Sequence, residues 1–106
     1  MKVQFACTLR ARLRGLAGQD GFDGALALVP CSDIHTFTMH QPIDVAFVSP
    51  EGIVLESHRA VPPRKRLRNR ESAMAVERFA SSAPWFDVGE EIGFSRSCVR
   101  QNGERR

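Results

Sequence analysis

The sequence predicts an α+β fold that is rich in β-structure: a small, mainly antiparallel sheet or a partly closed barrel with one or two short helices. Two observations predict it. Several short β-prone segments follow one another between turn-forming residues. They do not alternate with helical segments, as a doubly wound parallel sheet would require. A chain of 106 residues can close one core, so we expect residues 1–106 to form a single domain.

The first half of the chain begins with a predicted helix. Within residues 8–18, three leucines recur at helical spacing, and glycines can end the helix. A turn-rich loop follows. ALALVPC (25–31) then predicts a buried strand closed by a proline, and DIHTFTM (33–39) is β-prone because it holds isoleucine, threonines and phenylalanine.

A β-hairpin is the clearest local prediction. IDVAFV (43–48) and IVLESHRAV (53–61) favour strands, and SPEG (49–52) between them has proline and glycine at the second and fourth positions of a turn. The simplest register places Val48 opposite Ile53.

The second half is less regular. Residues 62–72 form a charged connection, and residues 73–80 fit either a strand or a helical turn. Residues 81–89 read as a compact turn with a helical tendency, in which the lone tryptophan fills the core. Residues 91–99 predict a last strand, and residues 100–106 a frayed tail.

Bulk properties exclude several classes of protein. Apolar residues make up 42% and charged residues 25%, which is typical of a globular protein and not of a disordered one. No segment has the run of apolar residues that a membrane span or a secretory signal needs. The chain has an odd number of cysteines and no C-x-x-C motif, so we expect reduced thiols. The three cysteines are Cys7, Cys31 and Cys98. We expect a cytoplasmic monomer.

Positive charge is concentrated late in the chain. Residues 1–58 have a net charge of −2 and residues 59–106 of +5. The basic segment, residues 64–70, carries the candidate anion-binding residues Arg64, Lys65, Arg66, Arg68 and Arg70. It is either a solvated loop without a partner, as charged runs usually are, or a site for a protein or another anionic partner, nucleic acid included. Single-strand recognition usually needs aromatic platforms, however, and Trp85 lies in another segment.

The stretch IHTFTMHQPIDVAFV (34–48) is unusual because polar side chains interrupt β-prone sequence. Asp44 draws attention, since it lies in a strand that is apolar on both faces and therefore needs hydrogen-bond donors. Its role is either structural, at the corner near Pro42, or functional, as a ligand anchor or general base with His35. The candidate ligand-binding residues are His35, Thr36, Met39, Asp44 and His58.

Metal binding and nucleophilic catalysis are two further possibilities for this stretch. Cys31, His35 and His40 match zinc-ligand spacings poorly, and strand alternation separates the two histidines. We therefore expect no metal site and no cofactor. A nucleophilic Cys31 with His35 or His58 would need a thiolate beside a base, which the sequence does not establish.

Three segments in order resemble one prokaryotic family. RLRGLAG (12–18), VPCSDIHTFTMHQPIDVAFVSPEGIVLE (29–56) and the later AVE…VGEEIGF (75–94) are similar to the domain of unknown function 192 family, also called uncharacterised protein family 0127. The similarity extends over about residues 8–95. It implies a compact β-rich domain with short helices, but no established reaction, cofactor or catalytic residue.

The sequence therefore predicts a non-catalytic ligand- or protein-binding accessory module. One alternative is a small hydrolase-like enzyme that uses Asp44 or Cys31 with a histidine. Another is a protein that binds nucleic acid or an acidic partner through the basic segment.

Overall fold

The computed structural model describes residues 3–6 and 24–93, which form seven strands. They are β1 (Val3–Ala6), β2 (Ala25–Leu28), β3 (Asp33–His35), β4 (Ile43–Val48), β5 (Val54–Val61), β6 (Arg66–Arg68) and β7 (Met74–Phe79). Five of them form a mixed sheet in the order β1-β2-β7-β4-β5, in which β1 and β2 are parallel and the other neighbours antiparallel. β3 and β6 form a separate antiparallel pair. The prediction of a β-rich fold is confirmed, and the described strands do not close into a barrel.

Strand β4 lies inside the main sheet, between β7 and β5, and all six of its residues are buried. Because successive side chains point to opposite faces, β4 contributes to two cores. Ile43, Val45 and Phe47 pack in one cluster, and Ala46 and Val48 in the other. We call these sides of the sheet the first and second face.

Each face has its own cover. On the first face, the β3–β6 pair packs through the buried Ile34 and the half-buried Leu67. On the second face, the segment of residues 80–93 packs through Trp85, and Phe86 is half-buried beside it. The prediction that Trp85 fills the core is confirmed, since its side chain is 8% exposed.

The hairpin forms where it was predicted, but its register was predicted wrongly. The Gly52 N–H donates to the Ser49 carbonyl (2.9 Å) and closes the turn. Val48 then pairs with Val54, not with Ile53, and the register shifts again further along β4. Both shifts are β-bulges, in which β5 inserts an extra residue.

Several other elements differ from the predictions. The residues that the structure describes contain no helix, and the helical tendency predicted for residues 81–89 is wrong. The charged connection predicted for residues 62–72 contains a strand, β6, which the sequence did not predict. Of the two alternatives for residues 73–80, the structure has the strand, β7. The predicted helix over residues 8–18 lies outside the described residues.

The C-terminal strand prediction is tested only at its start. Glu91 forms an isolated antiparallel bridge with Ile53, whereas residues 94–106, which include the predicted tail, lie outside the described residues. Within the part of the chain that the structure describes, no helix is long and apolar enough to cross a membrane.

Candidate anion-binding surface

The β3–β6 pair has a core-facing side and an outward side. Ile34 and Leu67 are cross-strand partners and face the core. The residues on either side of them therefore point outward, and all of these are exposed. The outward side carries Asp33, His35, Arg66 and Arg68, of which three are basic or can become so.

An exposed aromatic pair lies at one end of this outward side. The ring of Phe37 stacks on His35 with centroids 5.0 Å apart and planes inclined by 21°. Phe37 is 57% exposed although it stacks on His35, so more than half of it remains accessible to solvent. His35 pairs across the strands with Arg66, which places the aromatic pair next to the basic segment.

Thr36 fixes the loop that leads into β6. Its hydroxyl donates to the Pro62 carbonyl (2.7 Å) and accepts from the Lys65 N–H (2.9 Å). Its carbonyl accepts from the Arg64 N–H (3.1 Å). Arg64 has a left-handed backbone with φ of 68°, which costs a residue with a side chain about 1 kcal/mol. The bonds from the fully buried Thr36 offset this cost and hold Arg64 and Lys65 at the surface.

The other end of β6 is fixed through polar side chains. The Asn69 amide donates to Glu56 Oε2 (2.7 Å), and Glu56 Oε1 accepts from His58 Nε2 (2.8 Å). The His58 ring also lies nearly perpendicular to the ring of Phe47 in the core, with centroids 6.5 Å apart. This chain of bonds joins the end of the basic segment to β5 of the main sheet.

One cation of the basic segment is neutralised by a carboxylate. Arg66 donates twice to Asp33, from Nε to Oδ1 (3.1 Å) and from Nη2 to Oδ2 (2.6 Å). These bonds lower the pKa of the Asp33 carboxyl below its usual value, and the charges of Arg66, Arg68 and His35 lower it further, against a smaller opposing effect of desolvation. Asp33 therefore remains ionised into the acid range.

The other four cations of the basic segment are not neutralised by a carboxylate among the described residues. Within the part of the chain that the structure describes, their side chains form no hydrogen bond or ion pair, and all four are exposed. They are Arg64, Lys65, Arg68 and Arg70. We call the outward side of the β3–β6 pair, with Phe37 and these four cations, the basic surface.

Asp44 lies elsewhere, on the second face of the main sheet. It is 1% exposed and pairs across the strands with Arg78, whose Nε donates to Oδ2 (2.8 Å). Its Oδ1 accepts from the N–H of Ala60 (2.8 Å), a residue held at φ of 53° in the bulge of β5. The nearby Arg59 Nε approaches Oδ1 at 3.6 Å.

Arg78 joins Asp44 to the cover of the second face. Its guanidinium donates to the carbonyls of Ala83 (2.7 Å) and Pro84 (3.1 Å), and its central carbon lies 4.6 Å from the centroid of the Trp85 ring. The Asp44 carboxylate is thus satisfied by donors from two strands. This geometry accounts for a structural role, in which one donor is a backbone N–H and the other is an arginine side chain.

The five candidate ligand-binding residues are therefore not gathered in one place. His35 lies on the basic surface, and Thr36 and Met39 are buried beneath it. His58 lies on β5, where it binds Glu56, the residue that also accepts the hydrogen bond from Asn69. Asp44 is on the opposite face of the sheet. The candidate anion-binding residues, by contrast, are all exposed, on β6 and on the segments directly before and after it.

Metal and nucleophile chemistry were the other possibilities. The described residues hold no group of three or more histidine, cysteine, aspartate or glutamate side chains placed to share a metal ion. His40 is exposed. Cys31 is half-buried against the first-face cluster, and its thiol contacts the Asp33 carbonyl at 3.4 Å.

Sequence reasoning missed Phe37 as a functional candidate. Phe37 and the basic segment are almost thirty positions apart in the sequence, and the pairing of β3 with β6 brings them together. The signal that could have found it is the alternation of charged and apolar residues in KRLR, which is typical of a half-buried strand and would have placed β6 beside another strand.

The fold and the basic surface define a small β-rich protein with an open, cationic sheet face. The chain belongs to the DUF192 family, described as "Uncharacterized ACR", whose family model matches residues 1–85. No curated protein matches the chain significantly.

Two solved structures share the fold. A protein of unknown function from Novosphingobium aromaticivorans is 15% identical with a TM-score of 0.66, and the match covers 76% of this chain and 64% of that one. A putative transcription regulator from Sinorhizobium meliloti is 20% identical with a TM-score of 0.64, and the match covers 74% of this chain and 67% of that one. At these identities the likeness establishes the fold alone.

Proposed function

We propose that the protein is a non-catalytic binding module that holds an anionic partner on the basic surface. The observation that supports this most strongly is the group of four exposed cations that have no carboxylate partner among the described residues. Surface arginines and lysines left without counter-charges attract anions over several ångströms and speed their association. The partner in this proposal is therefore a polyanion or an acidic face of a protein.

Rigidity of the surface supports the same function. Thr36 fixes the loop before β6, and the bond between Asn69 and Glu56 fixes the turn after it. A surface whose backbone is already ordered loses less conformational entropy when a partner binds. The left-handed Arg64 adds to this argument, because backbone strain of this kind tends to be retained where it serves a site.

The hydrolase-like alternative receives less support from the geometry of Asp44. Both of its oxygens already accept hydrogen bonds, and the residue is almost fully buried. A general base needs a lone pair within reach of a substrate proton. Asp44 is 1% exposed, so a substrate proton could reach its carboxylate only if the residues that cover it moved.

A comparison of two variants with the same net charge tests the proposal. In Lys65→Gln/Arg68→Gln, two cations leave the basic surface and no described hydrogen bond of a side chain is broken. In Ser82→Glu/Val88→Glu, two negative charges are added at exposed positions in the cover of the second face. Both changes lower the net charge by the same amount.

Binding of a fluorescently labelled heparin fragment would be followed by anisotropy at low salt and with rising salt. The proposal predicts that wild type binds, that the Gln variant binds much more weakly, and that the Glu variant stays near wild type. Equal weakening in both variants would mean that net charge alone governs binding, and would refute a site at the basic surface.

A further inference from the structure

The stacked pair of Phe37 and His35 gives the basic surface a second means of binding, aromatic stacking, beside its positive charge. One face of the Phe37 ring stacks on His35, and Phe37 is nevertheless 57% exposed. An exposed aromatic ring supported from behind can receive one more flat ring, which would extend the existing stack. A partner that carries only negative charge, such as an acidic peptide, has no group that uses this ring.

We infer that the anionic partner is a single-stranded nucleic acid, whose bases stack on Phe37 and whose phosphates lie against the cations of the basic surface. This inference rests on the function proposed above and specifies its partner. Aromatic platforms beside a cationic track are the usual means by which proteins hold single strands. The sequence suggested that no platform accompanied the basic segment, and the β3–β6 pairing supplies one.

A single strand fits the surface better than a duplex. In a duplex, the faces of the bases are covered by their neighbours, so Phe37 could not stack on them without unstacking the helix. The cations alone would still attract duplex phosphates. The structure thus predicts that Phe37 discriminates between single and double strands, while the cations contribute to the affinity for both.

Removal of the Phe37 ring separates stacking from charge. Phe37→Ala removes the exposed ring and leaves every cation in place. Val88→Ala is the matched control, because Val88 is also exposed (66%) but lies in the cover of the second face. Neither change removes a buried side chain, so we expect both variants to unfold at the temperature of wild type.

Anisotropy would be measured with labelled oligothymidylate and oligouridylate, a duplex of the same length, heparin and polyglutamate. We expect Phe37→Ala to weaken binding of both single strands by about 5- to 100-fold and to leave heparin binding unchanged. Lys65→Gln/Arg68→Gln should weaken binding of every polyanion. For the single strands, it should also flatten the dependence of log K on log salt by about 0.7 for each phosphate that the protein no longer neutralises.

Each other outcome decides between the two proposals. If Phe37→Ala changes no affinity, or if polyglutamate binds more tightly than the oligonucleotides, the nucleic-acid inference is overturned while the anion-binding function stands. If Phe37→Ala reduced the affinity for the duplex as much as for the single strands, the nucleic-acid inference would be overturned as well. If wild type binds none of these probes at low salt, both proposals fail.

Discussion

The buried ion pair between Asp44 and Arg78 leads to a prediction about stability. Asp44→Ala would remove the charge that compensates the Arg78 guanidinium, whose side chain is 8% exposed. It would also leave the Ala60 N–H without its acceptor, in a bulge that already holds a strained backbone. The remaining contacts of Arg78, with two carbonyls and the Trp85 ring, carry no negative charge.

The expected cost follows from the removal of these interactions. Removal of one partner from a buried ion pair typically destabilises a protein by about 3–5 kcal/mol. The retained carbonyl bonds of Arg78 place this case near the lower end, about 3 kcal/mol, and the orphaned N–H of Ala60 adds about 1 kcal/mol. Because a domain of this size has a free energy of unfolding of about 5–15 kcal/mol, the variant should lose a large part of its stability but remain folded at low temperature.

Urea denaturation measures this destabilisation with a reporter that the protein already contains. Trp85 is the single tryptophan, it is buried, and it lies beside Arg78, so its fluorescence should follow unfolding of the second face. Far-UV circular dichroism serves as an independent probe. Asp33→Ala is the control, because it breaks an exposed pair with Arg66 that solvent screens; its unfolding midpoint should move little.

A double-mutant cycle makes the prediction specific. Arg78→Met removes the guanidinium and keeps much of the apolar stem, and the double variant Asp44→Ala/Arg78→Met no longer buries an uncompensated charge. We expect the double variant to be more stable than the sum of the two single changes implies, with a coupling of about 2 kcal/mol. A cost below about 1 kcal/mol for Asp44→Ala, or additive costs within about 0.5 kcal/mol, would refute a structural role through this pair.

Three further changes test the supports of the fold and surface. Gly52→Ala should lower the thermal midpoint, because φ is +92° and the new Cβ would lie 2.9 Å from the Ile92 carbonyl oxygen; an unchanged midpoint would contradict this close approach. Thr36→Val should cost about 1–3 kcal/mol by urea denaturation, since it removes two part-buried hydrogen bonds to the backbone of the loop, and it should weaken anion binding too. The Asp33 pKa, followed by carboxyl NMR, should rise toward its ordinary value in Arg66→Gln. Because the folded-state pKa is lowered, the stabilisation from this exposed pair is present above the unfolded-state pKa of about 3.9 and is lost as pH falls through the folded-state value.

Sequence reasoning succeeded where structure depends on neighbouring residues. The hairpin and its SPEG turn follow from local turn chemistry, and the burial of β4 on both faces follows from its apolar run. The prediction of the hairpin register was wrong because the bulges in β5 depend on contacts between residues that are distant in sequence. Arg78, for example, lies 34 positions from Asp44, and no local pattern indicates that the two charges are buried together.

The candidate site shows the same limit. Positive charge in residues 64–70 is visible in the sequence, and charged runs of this kind usually lie at the surface. The stacking of Phe37 on His35 depends on backbone geometry, and its position beside the cations depends on the pairing of β3 with β6. The polar residues of IHTFTMHQPIDVAFV were grouped by proximity along the chain, whereas the fold distributes them over two faces of a sheet.

The central claim, that an anionic partner binds at the basic surface, is tested most directly by amide NMR spectra of the labelled protein during titration with a heparin fragment. The account predicts saturable shifts that are concentrated in residues 33–37 and 64–70, with residues 80–93 unchanged. Shifts centred on residues 80–93, or none at concentrations that saturate a low-salt anisotropy titration, would contradict it.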